Sequence, residues 1–226
     1  MRCRRLVPAL LLTIGLLGGC AGSPPLPSAP ELVSAAADSL TSLRSVRFTL
    51  GVNGVVTGLP VRGLDGEITL EGGRDGSAVG KADLQDDFER VKVEYRLSGE
   101  EITLSGPDAE RVIPASAPYT PRAMLGADGG LRRLLTGATE LRGERWERVQ
   151  DTDSIRISAK VPAAVISGIV PEIKADVFVK LWVSKAEPRQ LMRVWLQVPP
   201  TRPEEFAVML ELALTRHNAV VVGDGR

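Results

Sequence analysis

The chain has 226 residues with 28 basic and 28 acidic side chains, one histidine, two cysteines and nine aromatics, three of them Trp. One histidine and two cysteines exclude the metal sets built from several of either. The balanced charge gives no basic field for nucleic acid, which selects for clustered Lys and Arg.

The first elements concern location. Arg2, Arg4 and Arg5 precede an apolar run over residues 6–17. A run of twelve is too short to cross a bilayer, which takes about 20 apolar residues, and has the length of a secretory signal. It ends in "LGGC", Leu17 to Cys20, which resembles the bacterial lipobox. That resemblance implies removal of residues 1–19 as a signal peptide and attachment of a diacylglyceryl group to the Cys20 sulfur. Two acyl chains make a stable anchor where one gives only marginal binding. Cys3 falls in the leader, so the anchored chain has no thiol left for a disulfide or a nucleophile. The leader takes three basic residues and no acidic ones, which leaves a net charge of about −3.

Residues 21–30 carry Pro24, Pro25, Pro27 and Pro30 among small residues. With Cys20 they read as a lipidated Pro-rich tether spanning 20–30, extended at about 3.1 Å per residue. Residues 31–222 are of a length to form one domain, and 223–226 are a tail.

A helix is expected over residues 28–43, with Ser28 and Glu31 at capping-box spacing and Leu32, Ala36, Leu40 and Leu43 on one face. Strand patterns follow in "SVRFTLGVN", "GEITLE", "GSAVGKADL", "ERVKVEYRLS" and "ITLSG". In the fourth, Val91, Val93, Tyr95 and Leu97 alternate with charged residues. Residues 106–121, with four prolines, read as loop. "RAMLGADGGLRRLLTG" reads as a short helical region broken at Gly129–Gly130, with Met124, Leu125, Leu131, Leu134 and Leu135 as its apolar members. "TELRGERWERV" and "DSIRISAKV" pair as a hairpin, and "PAAVISGIV", containing Ile166, is a short helix opened by Pro162.

The last third has apolar residues on both strand faces. In "ADVFVKLWVS", Phe178 and Trp182 oppose Val177, Val179, Leu181 and Val183; "RQLMRVWLQV" is similar, and "EEFAVMLELALT" alternates as a strand although its Ala, Met, Leu and Glu content suits a helix equally. Strands apolar on both faces need cover on both. About ten strands and three short helices, joined by hairpin-length turns, make an α+β protein with a large antiparallel sheet that curls.

Catalytic signals are poor. His217, between Arg216 and Asn218, reads as a solvated strand-end residue. No nucleophile elbow and no phosphate loop are present. The acidic pairs Asp86–Asp87, Glu100–Glu101, Asp151/Asp153 and Glu204–Glu205 sit in polar turns. No cofactor and no enzymatic activity are expected.

"SLRSVRFTL", "YRLSGEEITL", "AMLGADGGLRRLLTGATEL", "ISAKVPAAVI" and "VFVKLWVS" resemble, in order and spacing, segments of the mycobacterial LppX/LprA/LprF/LprG lipoproteins, the LprG branch most of all. The acidic, Pro-rich "PPTRPEEF" departs from that pattern. The resemblance implies a LolA/LolB-like half-barrel sheet with helices on its concave side, enclosing a hydrophobic cavity. It implies a cell-envelope lipoprotein on the extracytoplasmic side of the cell membrane that binds and carries acylated lipids or glycolipids, triacylated ones included. A major facilitator superfamily efflux transporter is the implied partner, and the carrier is expected to be a monomer. The pocket residues expected are Val91, Val93, Tyr95, Leu97, Met124, Leu125, Leu131, Leu134, Leu135, Ile166, Phe178 and Trp182. Residues 118–130 are a candidate lid, with Arg122, Arg132 and Arg133 available to an anionic headgroup. The competing expectations are a structural or adhesive lipoprotein with a closed core and, less favoured, an envelope hydrolase.

Overall fold

The computed structural model describes residues 25–71, 73–86, 89–107, 109–115, 119–200, 202 and 204–219. The signal, Cys20 and the tail lie outside them. Helix α1 (Ala29–Leu40) opens the fold. Its N-cap is Ser28, but the Ser28 side chain makes no capping bond. The capping box therefore does not form; Pro30, in the first turn, has no N–H to be capped. The helix stops at Leu40, short of Leu43, because the Thr41 and Ser42 hydroxyls bond back to the Asp38 and Ser39 carbonyls and close the end as turns.

Six strands follow: β1 (Ser45–Asn53), β2 (Val61–Thr69), β3 (Ser77–Asp86), β4 (Glu89–Ser98), β5 (Glu101–Ser105) and β6 (Glu110–Pro114). Strand β6 corrects the reading of 106–121 as loop throughout. It is a short, exposed edge strand ending in proline, where a ladder on one side only tolerates the missing N–H. Two short helices come next, α2 (Pro121–Leu125) and α3 (Gly130–Gly137). The chain then forms β7 (Thr139–Val149), β8 (Thr152–Val161), α4 (Ala163–Ile166), β9 (Val177–Ser184), β10 (Leu191–Val198) and β11 (Val208–Thr215).

All eleven strands join one sheet in the order β6-β5-β4-β3-β2-β1-β11-β10-β9-β8-β7, each neighbour antiparallel. The sheet is the open half-barrel expected. The first and last strands of the chain order, β1 and β11, meet in the middle, so the sheet has two halves. Helix α1 packs on α3 and, among the strands, chiefly on β7, β9 and β10. There Val161, Ile155, Ile157, Val177 and Leu181 are 0% exposed, and α1, α3 and α4 share one core cluster with these strands.

Candidate functional site

Register decides which side chains meet. Directly paired residues share a face in an antiparallel ladder, and three rows cross the half formed by β1–β6. Val46, Ile68, Ala78, Leu97 and Ile102 form one row. Phe48, Gly66, Gly80, Tyr95 and Leu104 form the second, and Leu50, Leu64, Ala82 and Val93 the third. These rows are on the helix side, since Val46, Phe48, Ile68 and Leu97 join the cluster containing α1 and α3.

Cover is uneven along them. Val46 is fully buried and Leu97 nearly so, whereas Leu50, Leu64, Leu84, Val91, Tyr95, Ile102 and Leu104 are half-buried. Helix α1 sits over the other half and α2 at the β2–β3 turn, and an apolar surface toward the β1–β6 end of the concave face is left partly covered.

The residues expected to line a pocket divide into three groups. Tyr95, Leu97, Met124, Leu125, Leu131, Leu134, Leu135 and Ile166 come together in the main cluster. Val91 and Val93 share the face of Tyr95 and Leu97 without joining that cluster. Phe178 and Trp182 are corrections. Val177 and Val179 take the core side of β9, so Phe178 points away and is 60% exposed. Trp182 packs with Val149, Met192 and Trp195 in a separate cluster on the outer face.

That outer cluster answers the need for cover on the second face. The Lys180 ammonium lies 5.4 Å from the Trp195 ring centre, and the Arg193 guanidinium 5.4 Å from that of Trp182. The two cations thus cover the indoles, and the Arg193 Nε also lies 3.2 Å from the Glu211 carboxylate.

The segment after β6 is tied down at several points. Thr120 caps α2 by accepting from the Ala123 N–H at 3.3 Å. Arg122 donates to the carbonyls of Arg74, Leu70 and Gly73 in the β2–β3 turn, and its own N–H bonds the Asp75 carbonyl at 3.0 Å. Tyr119 donates to the Glu172 carboxylate; burial and that carboxylate push the phenol pKa above its ordinary value. Arg132 lies 3.8 Å from Asp38 of α1, and Arg133 donates to the Gly168 carbonyl. The three arginines expected to face a headgroup are engaged within the protein. An open cleft of about 410 Å³ lies beside Arg122, bordered by Arg74, Asp75 and Asp128. Ala123, Gly126 and Ala127 complete its wall.

His217 corrects another expectation. It is half-buried, not solvated, and its Nε2 lies 3.1 Å from the Leu191 carbonyl oxygen. Burial lowers its pKa, which leaves a neutral ring donating to that carbonyl. Neighbouring Asn218, with positive φ, accepts from the Arg44 and Ser45 N–H groups and so closes the turn between α1 and β1. This is a structural corner. Among the described residues no group of three or more His, Cys, Asp or Glu could hold a metal ion. No described helix is long and apolar enough to cross a membrane.

Sequence reasoning missed Leu50, Leu64, Ile102 and Leu104. Leu50, Ile102 and Leu104 alternate within expected strands and Leu64 precedes the expected "GEITLE", since β2 begins at Val61; only the pairing register places them beside Val93, Leu97 and Tyr95.

The fold and face define an α+β half-barrel with helices over part of an apolar concave side. Residues 28–214 match the LppX_LprAFG lipoprotein family, and the chain belongs to it. It is 28% identical over 207 residues to the "Lipoarabinomannan carrier protein LprG" of Mycobacterium bovis BCG Pasteur, covering 86% of each chain. The Mycobacterium leprae protein of the same name is 29% identical over 191 residues, with 79% of this chain and 78% of that one covered. Among solved structures, LprF from Mycobacterium bovis superposes with a TM-score of 0.73 at 21% identity, over 88% of this chain and 96% of that one. LppX from Mycobacterium tuberculosis gives 0.68 at 20% identity, over 87% and 100%.

Proposed function

We propose that this protein is a lipid-anchored carrier of the cell envelope, held on the extracytoplasmic side of the membrane through Cys20, that takes acylated lipids or glycolipids onto its concave face. The observation that carries the reading is the half-covered apolar surface of β1–β6, with Leu50, Leu64, Val91, Tyr95, Ile102 and Leu104 neither sealed by a helix nor left wholly in water. Relatives named as lipoarabinomannan carriers, matched over most of their length, support the same reading.

A triacyl lipid with about 48 methylenes gains roughly 40 kcal/mol on leaving water. Non-covalent affinities saturate near −20 kcal/mol, so water is the wrong reference. The bilayer is as apolar as the protein face, and exchange between the two is close to neutral. A carrier's task is to keep acyl chains out of water in transit. A triacylated ligand, transfer to a major facilitator superfamily transporter and a monomeric carrier belong to this proposal.

The filled face over β8–β10 favours a second reading, a structural lipoprotein with a closed core. Native mass spectrometry of protein purified from its host membrane separates the two. The carrier gives non-covalent adducts that organic extraction identifies as acylated lipid; a single lipid-free mass overturns it.

A further inference from the structure

In the second cross-strand row, two glycines lie between two aromatic residues. Gly66 and Gly80 pair with each other, Phe48 flanks them on β1, and Tyr95 on β4. The Tyr95 side chain leans back across both. Its hydroxyl comes within 2.5 Å of where a Cβ on Gly66 would stand, and a Cβ on Gly80 would meet the Asp65 carbonyl oxygen at 1.9 Å. Only glycine fits at either position. The ring therefore lies against bare backbone, as aromatic side chains do over glycines in sheets.

The hydroxyl is the unexpected part. A phenylalanine would cover the glycines equally well. Yet the Tyr95 oxygen is buried and has no hydrogen-bond partner among the described residues. Burying an unpaired hydroxyl opposes folding. Burial, and the charge of Asp65 after it, push the phenol pKa up, so the group stays protonated as a neutral O–H. Its row neighbours Phe48 and Leu104 offer no acceptor, and Leu64, Ala82 and Val93 line the next row.

We infer that the Tyr95 hydroxyl is the polar contact of the lipid site, donating a hydrogen bond to an ester carbonyl oxygen of an acyl lipid lying on the concave face. This rests on the carrier reading and adds a selecting residue to it: through Tyr95, ester-linked acyl lipids are preferred over ether-linked ones of equal chain length. One neutral donor suits an ester carbonyl, which is an acceptor only and sits at the root of the chains it joins. It does not suit a phosphate or a sugar, whose removal from water requires several partners. An ether oxygen is a weaker acceptor and leaves the hydroxyl poorly paired.

The test uses delipidated protein, wild type and Tyr95→Phe, loaded from phosphatidylcholine vesicles containing either tripalmitoylglycerol or its trihexadecyl ether analogue. Bound lipid is counted by native mass spectrometry. Wild type should favour the ester about tenfold, the value of one hydrogen bond made in a dry site. Tyr95→Phe should bind both lipids equally, with ether binding unchanged, and its lipid-free form should melt no lower than wild type. Equal binding of the two lipids by wild type overturns the inference and leaves the carrier reading standing, and so does a preference that survives in Tyr95→Phe. Binding of none of these lipids, phosphatidylcholine included, overturns the carrier reading and the inference with it. The wild-type ratio decides the matter even if the variant does not fold.

Discussion

Arg122 and Arg74 are joined across 48 positions of sequence, with the Arg122 Nε donating to the Arg74 carbonyl oxygen at 2.6 Å. The same guanidinium also bonds the Leu70 and Gly73 carbonyls, so one side chain fastens α2 to the β2–β3 turn. The planar fork of arginine reaches several acceptors at once. The segment expected to act as a lid is thus a fastened one, and opening it means breaking these bonds.

Arg122→Ala should release residues 119–129 without unfolding the sheet. Loss of about 1.4 kcal/mol of local stability corresponds to roughly tenfold faster amide exchange. Hydrogen exchange at 122–126 measures it, with amides of β9 and β10 as the unchanged reference. Arg122→Lys should not restore protection, because one ammonium cannot reach three carbonyls together. If 119–129 is also the entry to the lipid face, bound lipid should slow exchange there in wild type. Equal protection with and without lipid would move the entry to the open edge of the half-barrel.

Filling the half-covered face should block lipid at little cost in stability. Leu64 is half-buried and lies beside Ala82, its partner on β3, so Leu64→Trp has room at its open side. Leu97 is 5% exposed within the core cluster, and Leu97→Trp should cost about 1–3 kcal/mol through overpacking. Thermal melts should show a near-normal Tm for Leu64→Trp and a lowered one for Leu97→Trp. Lipid extraction should find less lipid with both. Normal lipid content in a folded Leu64→Trp protein would remove β2 from the binding face.

Strand periodicity carried most of the fold. The alternation in residues 89–98 and 139–149 marks β4 and β7 with their observed ends. What it could not supply was the choice of face where both faces are apolar. In β9 every residue from Val177 to Val183 except Lys180 is apolar, so parity alone allows either side to point inward. Pairing of Val161 with Val177 settles it, and that contact is between residues far apart in the chain. Tyr95 was legible as an inward residue, but its unpaired hydroxyl was not, because Gly66 and Gly80 beneath it belong to other strands.

His217 should make stability fall on mild acidification. Its pKa in the folded protein is below the ordinary 6.5, chiefly through burial. Above the unfolded value both states are neutral and nothing depends on pH. As pH falls through about 6.5 the unfolded chain takes a proton that the folded one resists, so stability declines until the folded pKa is passed. His217→Gln, which keeps an N–H for the Leu191 carbonyl, should lose this part of the dependence. Tm measured from pH 7.5 to 5 in both proteins checks it; parallel curves would show that His217 is not the group responsible.

The anchor yields to a direct experiment. Cys20 lies outside the described residues, but the first residue of the buried core is Ala29, and Leu26 is already packed beside Gly143 of β7, with a Cβ on that glycine 3.5 Å from Leu26 Cδ1. Six residue steps separate Cys20 from Leu26, a reach of at most about 19 Å at 3.1 Å per residue, so a domain lipidated at Cys20, as proposed, would sit close to its membrane. Cys20→Ala should therefore abolish incorporation of labelled palmitate and shift the protein from the membrane to the soluble fraction. Its Tm should match that of the unlipidated wild-type domain, since no core position is altered. Two acyl chains resist a salt wash, and electrostatic attachment does not. A Cys20→Ala protein still sedimenting with membranes after high salt would show that something other than the thioether holds it there.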